Sequence, residues 1–299
     1  MKSNVRKRRY QMFADFTRVH EFLTDTYNPT TLNSFLLPQY FEYAHHHSFF
    51  NHKLSHRFGV WEQNEEIVGI ACFEMDLGES HLHVEEGYEY LLPELLDWAE
   101  KELCRPEEGK YVSGIWITDK EPDKREMLKS RGYELVRTDR VTIFDYKKPF
   151  PETALPEGFK LICGHDADYN KLHACYWKGF DHGDNPDNDV DGTIHACNAP
   201  NGNLSLDTIV VAPNGEYACA LGMWHDEQNE YAYLEPLATV PKYRRMGLAK
   251  AALVASMEIT KQLGANYCFT GGGEFYTAIG CEIICDRELW KREWQNVSK

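Results

Sequence analysis

The stretch VPKYRRMGLAKAAL, Val240 to Leu253, decides how the chain is read. The apolar run EYAYLEPLATV before it has the composition of a strand. The run after it predicts a helix over 245–263, with Leu248, Ala252, Met257 and Ile259 on overlapping faces and a stop at Gly264. Arg244, Arg245 and Gly247 occupy the join. The first turn of a helix carries unpaired N–H groups and partial positive charge, which suits it to a phosphate. Gly247 lets the backbone come close to such a group, Ala249 keeps the next turn small, and Arg245 and Lys250 add charge. An ordinary helix start with solvated arginines would carry the same residues, and the pattern alone leaves the two readings level.

The surroundings sharpen the question. At 299 residues the chain is long enough for two domains of ordinary size. Its formal charge is -15, which argues against nucleic acid and anionic membranes as partners. Residues 151–299 hold 12 Lys and Arg against 21 Asp and Glu, yet four of the 12 (Lys242, Arg244, Arg245, Lys250) fall within nine positions. A compact basic spot in an acidic half asks for an anionic ligand, and the acidic remainder attracts a cationic one. The basic start MKSNVRKRRYQMF lacks the apolar core of a signal peptide, and no apolar run is long enough to span a bilayer. Nine scattered cysteines without a C-x-x-C pair read as reduced, mostly buried thiols and a cytoplasmic location.

Two halves repeat one order of elements. YKKPFPETALPEG, 146–158, reads as a linker, giving domains 1–150 and 151–299. In the first half a strand at RRYQMF is followed by helices near 15–25 and 37–47. Strands HRFGVWEQ and EIVGIACFEM turn at Asn64-Glu65. Then come SHLHVEE, a helix over 88–104, the strand YVSGIWIT, the helix DKREMLKSRG, and strands YELVRTD and RVTIFDYKK. The second half runs through FKLICG, helices over 167–181 and 190–198, and a hairpin turning at Pro213-Asn214-Gly215. EYAYLEPLATV, the helix 245–263, NYCFTGG, the short helix EFYTAIG and the strand region CEIICDRELWKRE complete it. Each half is thus a mixed α/β (α+β) layer with a mostly antiparallel sheet.

In this setting Arg244-Arg245-Met246-Gly247-Leu248-Ala249 resembles the acyl-CoA motif of the GCN5-related N-acetyltransferase (GNAT) family, Arg/Gln-x-x-Gly-x-Gly/Ala after the fourth strand. The motif-level likeness covers about 230–282, and the order of elements extends it to the whole chain as a tandem. The resemblance implies that backbone N–H groups from Arg245 to Lys250 hold the pyrophosphate of CoA. It also implies that the backbone of Leu237, Ala238, Thr239 and Val240 pairs with the pantetheine arm as an added strand. Acetyl-CoA is the expected co-substrate and no metal is called for. Tyr276, four residues before Gly280, stands where the family commonly has the tyrosine of Tyr-x-x-x-Gly-Phe, a general acid for the CoA thiolate; a core aromatic would look the same. Cys281 departs from that pattern, where the family often has Phe. Glu235 lies at the start of the strand that would face the acceptor and could take the amine's proton, or be a plain strand-edge carboxylate. An N–H near Leu237 or Ala238 would hold the oxyanion. No Gly-Lys-Ser/Thr or Gly-x-Gly-x-x-Gly supports another nucleotide site.

Other features read as structural. Asp187-x-Asp189-x-Asp191-Gly192 copies the start of an EF-hand loop, but position twelve would be Asn198. The stretch DHGDNPDNDVDG reads first as a solvated helix–helix loop, whose five aspartates could attract a cationic amine by field. His45-His46-His47, with His52 and His56, reads as a helix end with partly exposed histidines, because no ligand set completes a tetrahedral site. In the first half, VEEGYEYLLPELL, 84–96, stands where VPKYRRMGLAKAAL stands in the second, with Glu85, Glu86 and Glu89 replacing the basic residues. That repels a pyrophosphate. The expectation is a degenerate first domain and a second that transfers an acetyl or other short acyl group to the amine of a small cation. The competing expectation is an acyl-CoA-binding sensor without catalysis. Self-association stays open.

Overall fold

The computed structural model describes residues 5–295; the first four residues of the basic N-terminal stretch lie outside them. The chain divides into two compact units. One comprises residues 1–45, 49–140 and 285–299, and the other 46–48 and 141–284.

The first unit contains β1 (Arg6–Arg9), α1 (Met12–Asp25), α2 (Pro38–His46), β2 (Gly59–Gln63), β3 (Glu66–Phe73), β4 (Glu79–Val84), α3 (Leu92–Trp98), β5 (Arg105–Glu107), β6 (Lys110–Thr118), α4 (Pro122–Ser130) and the start of β7 (Glu134–Asp145). Its sheet runs β1-β2-β3-β4-β6 and closes with a strand from the far C-terminus, residues 287–295, antiparallel to β6 from Thr118 to Lys110. Leu289 and Trp290 of that strand are buried, and Glu288 takes two bonds from Arg125 of α4.

The second unit holds the end of β7, then β8 (Lys160–Cys163), α5 (Tyr169–Gly179), α6 (Val190–Cys197), β9 (Thr208–Val211), β10 (Tyr217–Asp226), β11 (Tyr231–Thr239), α7 (Leu248–Gln262), β12 (Tyr267–Thr270), α8 (Glu274–Ala278) and the first residues of β13 (Glu282–Gln295). Its sheet runs β7-β12-β11-β10-β9-β8, antiparallel except for β11 with β12. Side-chain alternation feeds two cores. Val210, Leu221 and Met223 pack with Ala252, Leu253 and Met257 of α7 on one face, and Ile209, Val211 and Ala220 pack with Leu172 and Cys175 of α5 on the other. Both units are mixed α/β layers with mostly antiparallel sheets flanked by helices, as the sequence implies.

Several local expectations shift. YELVRTD and RVTIFDYKK form one strand, β7. The helix expected over 88–104 is a 3-10 turn, α3 and a π-helical turn at Ala99–Leu103. The helix expected from 245 starts at Leu248, because Arg245 and Gly247 both have positive φ (66° and 80°). His45 is buried rather than partly exposed: its Nδ1 meets the Phe41 carbonyl at 2.8 Å and its ring packs on Phe41 and Phe50.

A chain ending at Ile284 should lose the first unit's cooperative unfolding, because β6 would expose an unpaired edge and the core would lose Leu289 and Trp290. Denaturant unfolding of the shortened chain checks this; an unchanged transition would show that the C-terminal strand is dispensable.

Candidate active site

The second unit's candidate site begins where β11 and β12 part. Their parallel pairing covers only Tyr231–Tyr233 against Tyr267–Phe269. Beyond it β11 stays paired on its other side to β10, through Leu237 with Leu221, Ala238 with Ala220, and Thr239 with Cys219. The half of the β11 backbone groups that point toward β12 therefore faces an opening. Strand β11 bulges at this point. Glu235 and Pro236 together oppose one residue of β10, Gly222, between the pairs Met223–Leu234 and Leu221–Leu237. A side-chain Cβ at Gly222 would lie 2.7 Å from the Glu235 carbonyl oxygen and 2.9 Å from Pro236 Cδ, so the bulge requires glycine. The indole N–H of Trp224 donates to the Glu235 carbonyl at 2.9 Å. Neither Gly222 nor Trp224 stood out in the sequence, although a glycine inside a strand is the usual mark of a bulge.

The loop from Arg244 to Gly247 lies at the far end of β11. Arg244 is extended, Arg245 and Gly247 are left-handed, and α7 follows without a side-chain cap. The first intrahelical bond links the Ala251 N–H to the Gly247 carbonyl. Among the described residues, the N–H groups of Gly247, Leu248, Ala249 and Lys250 meet no acceptor. Alternating backbone signs at a helix start form a concave nest for an anion.

The four basic residues of this window divide into two pairs. Lys242 is taken by Glu216 at 2.5 Å; Glu216 also accepts from Tyr243 and Asn214, and this set, Lys242 foremost, holds its carboxyl down to about 2. Arg244 turns away from the nest: its guanidinium donates to the Thr239 and Gly179 carbonyls and to Asp181 at 3.1, 2.9 and 2.8 Å. It ties the loop to the end of α5. Arg245 and Lys250 have no ion pair among the described residues, and Met246 is exposed. Leu248 is buried in the core and Ala249 packs against it. Val240 is buried, with its N–H on the Ala218 carbonyl.

Tyr276 sits on α8, beyond the end of β12. Its ring lies over Gly271, where a Cβ would come within 2.6 Å of ring carbon Cε2. The phenol is pushed well above its ordinary value, first by burial and then by the charge of Glu235. The Glu235 carboxylate is thus within electrostatic reach of the phenol, and the fold brings the two residues to the same opening. Cys281 fills a core position and receives a bond from the Thr270 hydroxyl at 3.4 Å, so the Phe of the family pattern is replaced without exposure. The aspartate-rich loop is built by its own carboxylates. Asp187 meets Nε2 of His173 at 3.1 Å, and Asp189 caps α6 through the Gly192 N–H. Among the described residues no group of three metal-ligating side chains is assembled.

The first unit has the same parting of strands, filled differently. β4 and β6 pair in parallel only over Glu79–His81 with Gly114–Trp116. By this register His83 stands at the place of Glu235. It is buried, joined to the Thr26 hydroxyl at 2.7 Å, and held down to about 3 by burial. Lys124 crosses to the Leu82 carbonyl (2.9 Å) and to Ser34 (2.8 Å), and Glu121 takes the Thr118 N–H. Leu128 occupies the turn corresponding to Tyr276: the N–H of Tyr133 bonds its carbonyl, as that of Cys281 bonds Tyr276. At the loop before α3, Glu89 itself accepts the Gly87 N–H, 3.0 and 3.1 Å from its two oxygens.

Comparison with known proteins bears on the family and the fold. Residues 166–273 match the family model described as Acetyltransferase (GNAT) family. A tandem GNAT protein from the clavulanic acid biosynthesis pathway is similar over 97% of this chain and 98% of its own, with TM-score 0.64 at 11% identity. A GCN5-related N-acetyltransferase from Sphaerobacter thermophilus covers 97% and 96% (TM-score 0.57, 13% identity). N-myristoyltransferase from Saccharomyces cerevisiae, solved with myristoyl-CoA, covers 97% and 79% (TM-score 0.55, 10% identity). Among curated proteins no sequence match was found. The second unit thus carries a GNAT-family domain over residues 166–273, and the chain as a whole shares the tandem arrangement of the GNAT fold. That makes it an acyltransferase, of the class that takes its acyl group from acyl-CoA.

Gly247 gives a direct test of the nest. No atom lies within 4 Å of its virtual Cβ, so a side chain fits sterically but is strained at φ 80°. Gly247→Asp would also put a carboxylate beside the free N–H groups. Acetyl-CoA at 100 times its Kd should stabilise the wild type by about 2.7 kcal/mol, read as a rise in Tm of a few degrees; Gly247→Asp should show no rise. An equal rise in both proteins would place the cofactor elsewhere.

Proposed function

We propose that the second unit transfers an acetyl group from acetyl-CoA to an amine of a small cationic molecule, by direct attack in a ternary complex. The observation that carries this reading is the opening between β11 and β12. Glu235 and Tyr276 stand at one end of it and the nest Arg245–Lys250 at the other. The nest takes the CoA pyrophosphate with Arg245 and Lys250 as unpaired cations, while Arg244 holds the loop in shape. The backbone of Leu237–Val240 pairs with the pantetheine arm as a strand would.

Direct attack follows from the order of groups. The amine nitrogen bonds to the thioester carbon, and its proton passes to Glu235, directly or through water. An N–H near Leu237 or Ala238 holds the oxyanion. As the C–S bond breaks, the thiolate takes the phenolic proton of Tyr276. Burial and the neighbouring carboxylate keep that phenol protonated at neutral pH, as a general acid requires. The acidic loop and the net charge of -15 favour a cationic acceptor. We further propose that the first unit does not bind CoA, because Glu89 already occupies its loop N–H and Lys124 fills its strand opening.

Tyr276→Phe should lower kcat by roughly 10²-fold or more, with the KM for acetyl-CoA nearly unchanged, in steady-state assays against a panel of amines. An unchanged kcat would remove the phenol from the mechanism. Acetyl-CoA binding without turnover of any amine by the wild type would favour the sensor reading.

A further inference from the structure

Asp207, a further carboxyl of the second unit, has no part in the steps above. Asp207 directly precedes β9. Along that strand the Thr208 hydroxyl bonds Ser256 of α7, while Ile209 and Val211 join the core under α5. Alternation therefore turns Asp207 to the face covered by α5 and α6. Its Oδ1 accepts the N–H of Met223 at 3.0 Å. Met223 is next to Gly222, the residue opposite the Glu235–Pro236 bulge. Asp207 thus stands level with the bulge, one strand beyond Gly222.

Among the described residues nothing binds its second oxygen, and no cation faces it. The 3-10 turn at Gly164–Asp166 lies against it: the Gly164 N–H donates to the Asp207 backbone carbonyl at 3.1 Å, and a Cβ at Gly164 would stand 3.4 Å from Oδ2. Its titratable neighbour is Cys197 of α6, whose thiol is pushed up to about 12, foremost by burial, and is neutral. Burial likewise raises the Asp207 carboxyl to about 7, against the lowering effect of the Met223 N–H. Asp207 is half-buried; a carboxyl partly removed from water without a cation is a cost to the fold, and such groups concentrate at binding sites.

Strands lie 4.7–4.9 Å apart in a sheet, so β9 and β11 are separated by about 10 Å. An ammonium held at Asp207 is therefore too far from β11 to attack a thioester there. We infer that Asp207 binds a second ammonium group of the acceptor, so that the substrate is a diamine- or polyamine-type cation with its reacting nitrogen several bonds away. This rests on the reading of the second unit as an amine acetyltransferase.

The test compares 1,4-diaminobutane with butylamine as acceptors for the wild type and Asp207→Asn, which retains an oxygen for the Met223 N–H. The variant should raise the KM for the diamine about 10- to 100-fold, the range of a lost charged hydrogen bond, and leave butylamine kinetics unchanged. In the wild type the preference for the diamine should grow as pH rises through about 7, where Asp207 ionises; the variant should show no such change. Equal loss with both amines, or no preference in the wild type, would overturn the assignment. If acetyl-CoA binds and neither amine is turned over, the transfer reading fails separately. Calorimetric binding of 1,4-diaminobutane to the CoA-bound protein then decides: binding weakened by Asp207→Asn keeps the site, and no binding, or binding equal in both proteins, removes it.

Discussion

Pairing between β11 and β12 stops after three residues, and the chemistry open to the second unit depends on that stop. A sheet continues to pair unless something prevents it, because unpaired backbone groups in a protein interior are costly. Here the bulge at Glu235–Pro236 reshapes β11, and Pro236 has no N–H to offer. On the other side the chain leaves β12 at Thr270 and turns through glycines into α8. The strands part, and a row of donors and acceptors is left for a ligand to complete. Gly222, Trp224 and Gly271 make the geometry possible by leaving room for the bulge, holding its carbonyl and seating the Tyr276 ring.

The first unit meets the same constraint with groups of its own. Its strands part at the corresponding residues, and the protein supplies the missing partners itself. Lys124 reaches the freed Leu82 carbonyl, and Glu121 reaches the freed Thr118 N–H. The turn that delivers Ser34 to this cluster holds four consecutive residues, Leu32 to Phe35, at φ between 50° and 57°. Left-handed backbone at non-glycine residues is costly, and the satisfied polar cluster beside it offsets that cost. At the loop before α3, Glu89 provides the negative charge that a phosphate would provide. The two units are one topology with opposite solutions to the same unpaired backbone.

Much of this was legible in the sequence. The motif Arg244–Ala249, Tyr276 ahead of Gly280, and the carboxylates at Glu85, Glu86 and Glu89 all carry local signals, either a spacing or a charge at a helix start. What was hidden depends on contacts distant in the chain. Nothing near Arg244 says that its guanidinium is taken by Gly179 and Asp181. The role of Lys242 in holding Glu216 is equally invisible, because a run of basic residues reads as one patch until the partners are known. Asp207 sits in an unremarkable loop sequence, and its surroundings come from β10 and α6, far along the chain. The passage of the C-terminal strand into the first unit also has no local signature.

The central claim is that one loop presents free N–H groups to a phosphate while the other is closed by its own glutamate. Isothermal titration of acetyl-CoA into the full-length protein tests this most directly, through the number of molecules bound per chain. One per chain is the expected result. Two would contradict the closure of the first unit by Glu89, and none would contradict the assignment of the nest at Arg245–Lys250 as the cofactor site.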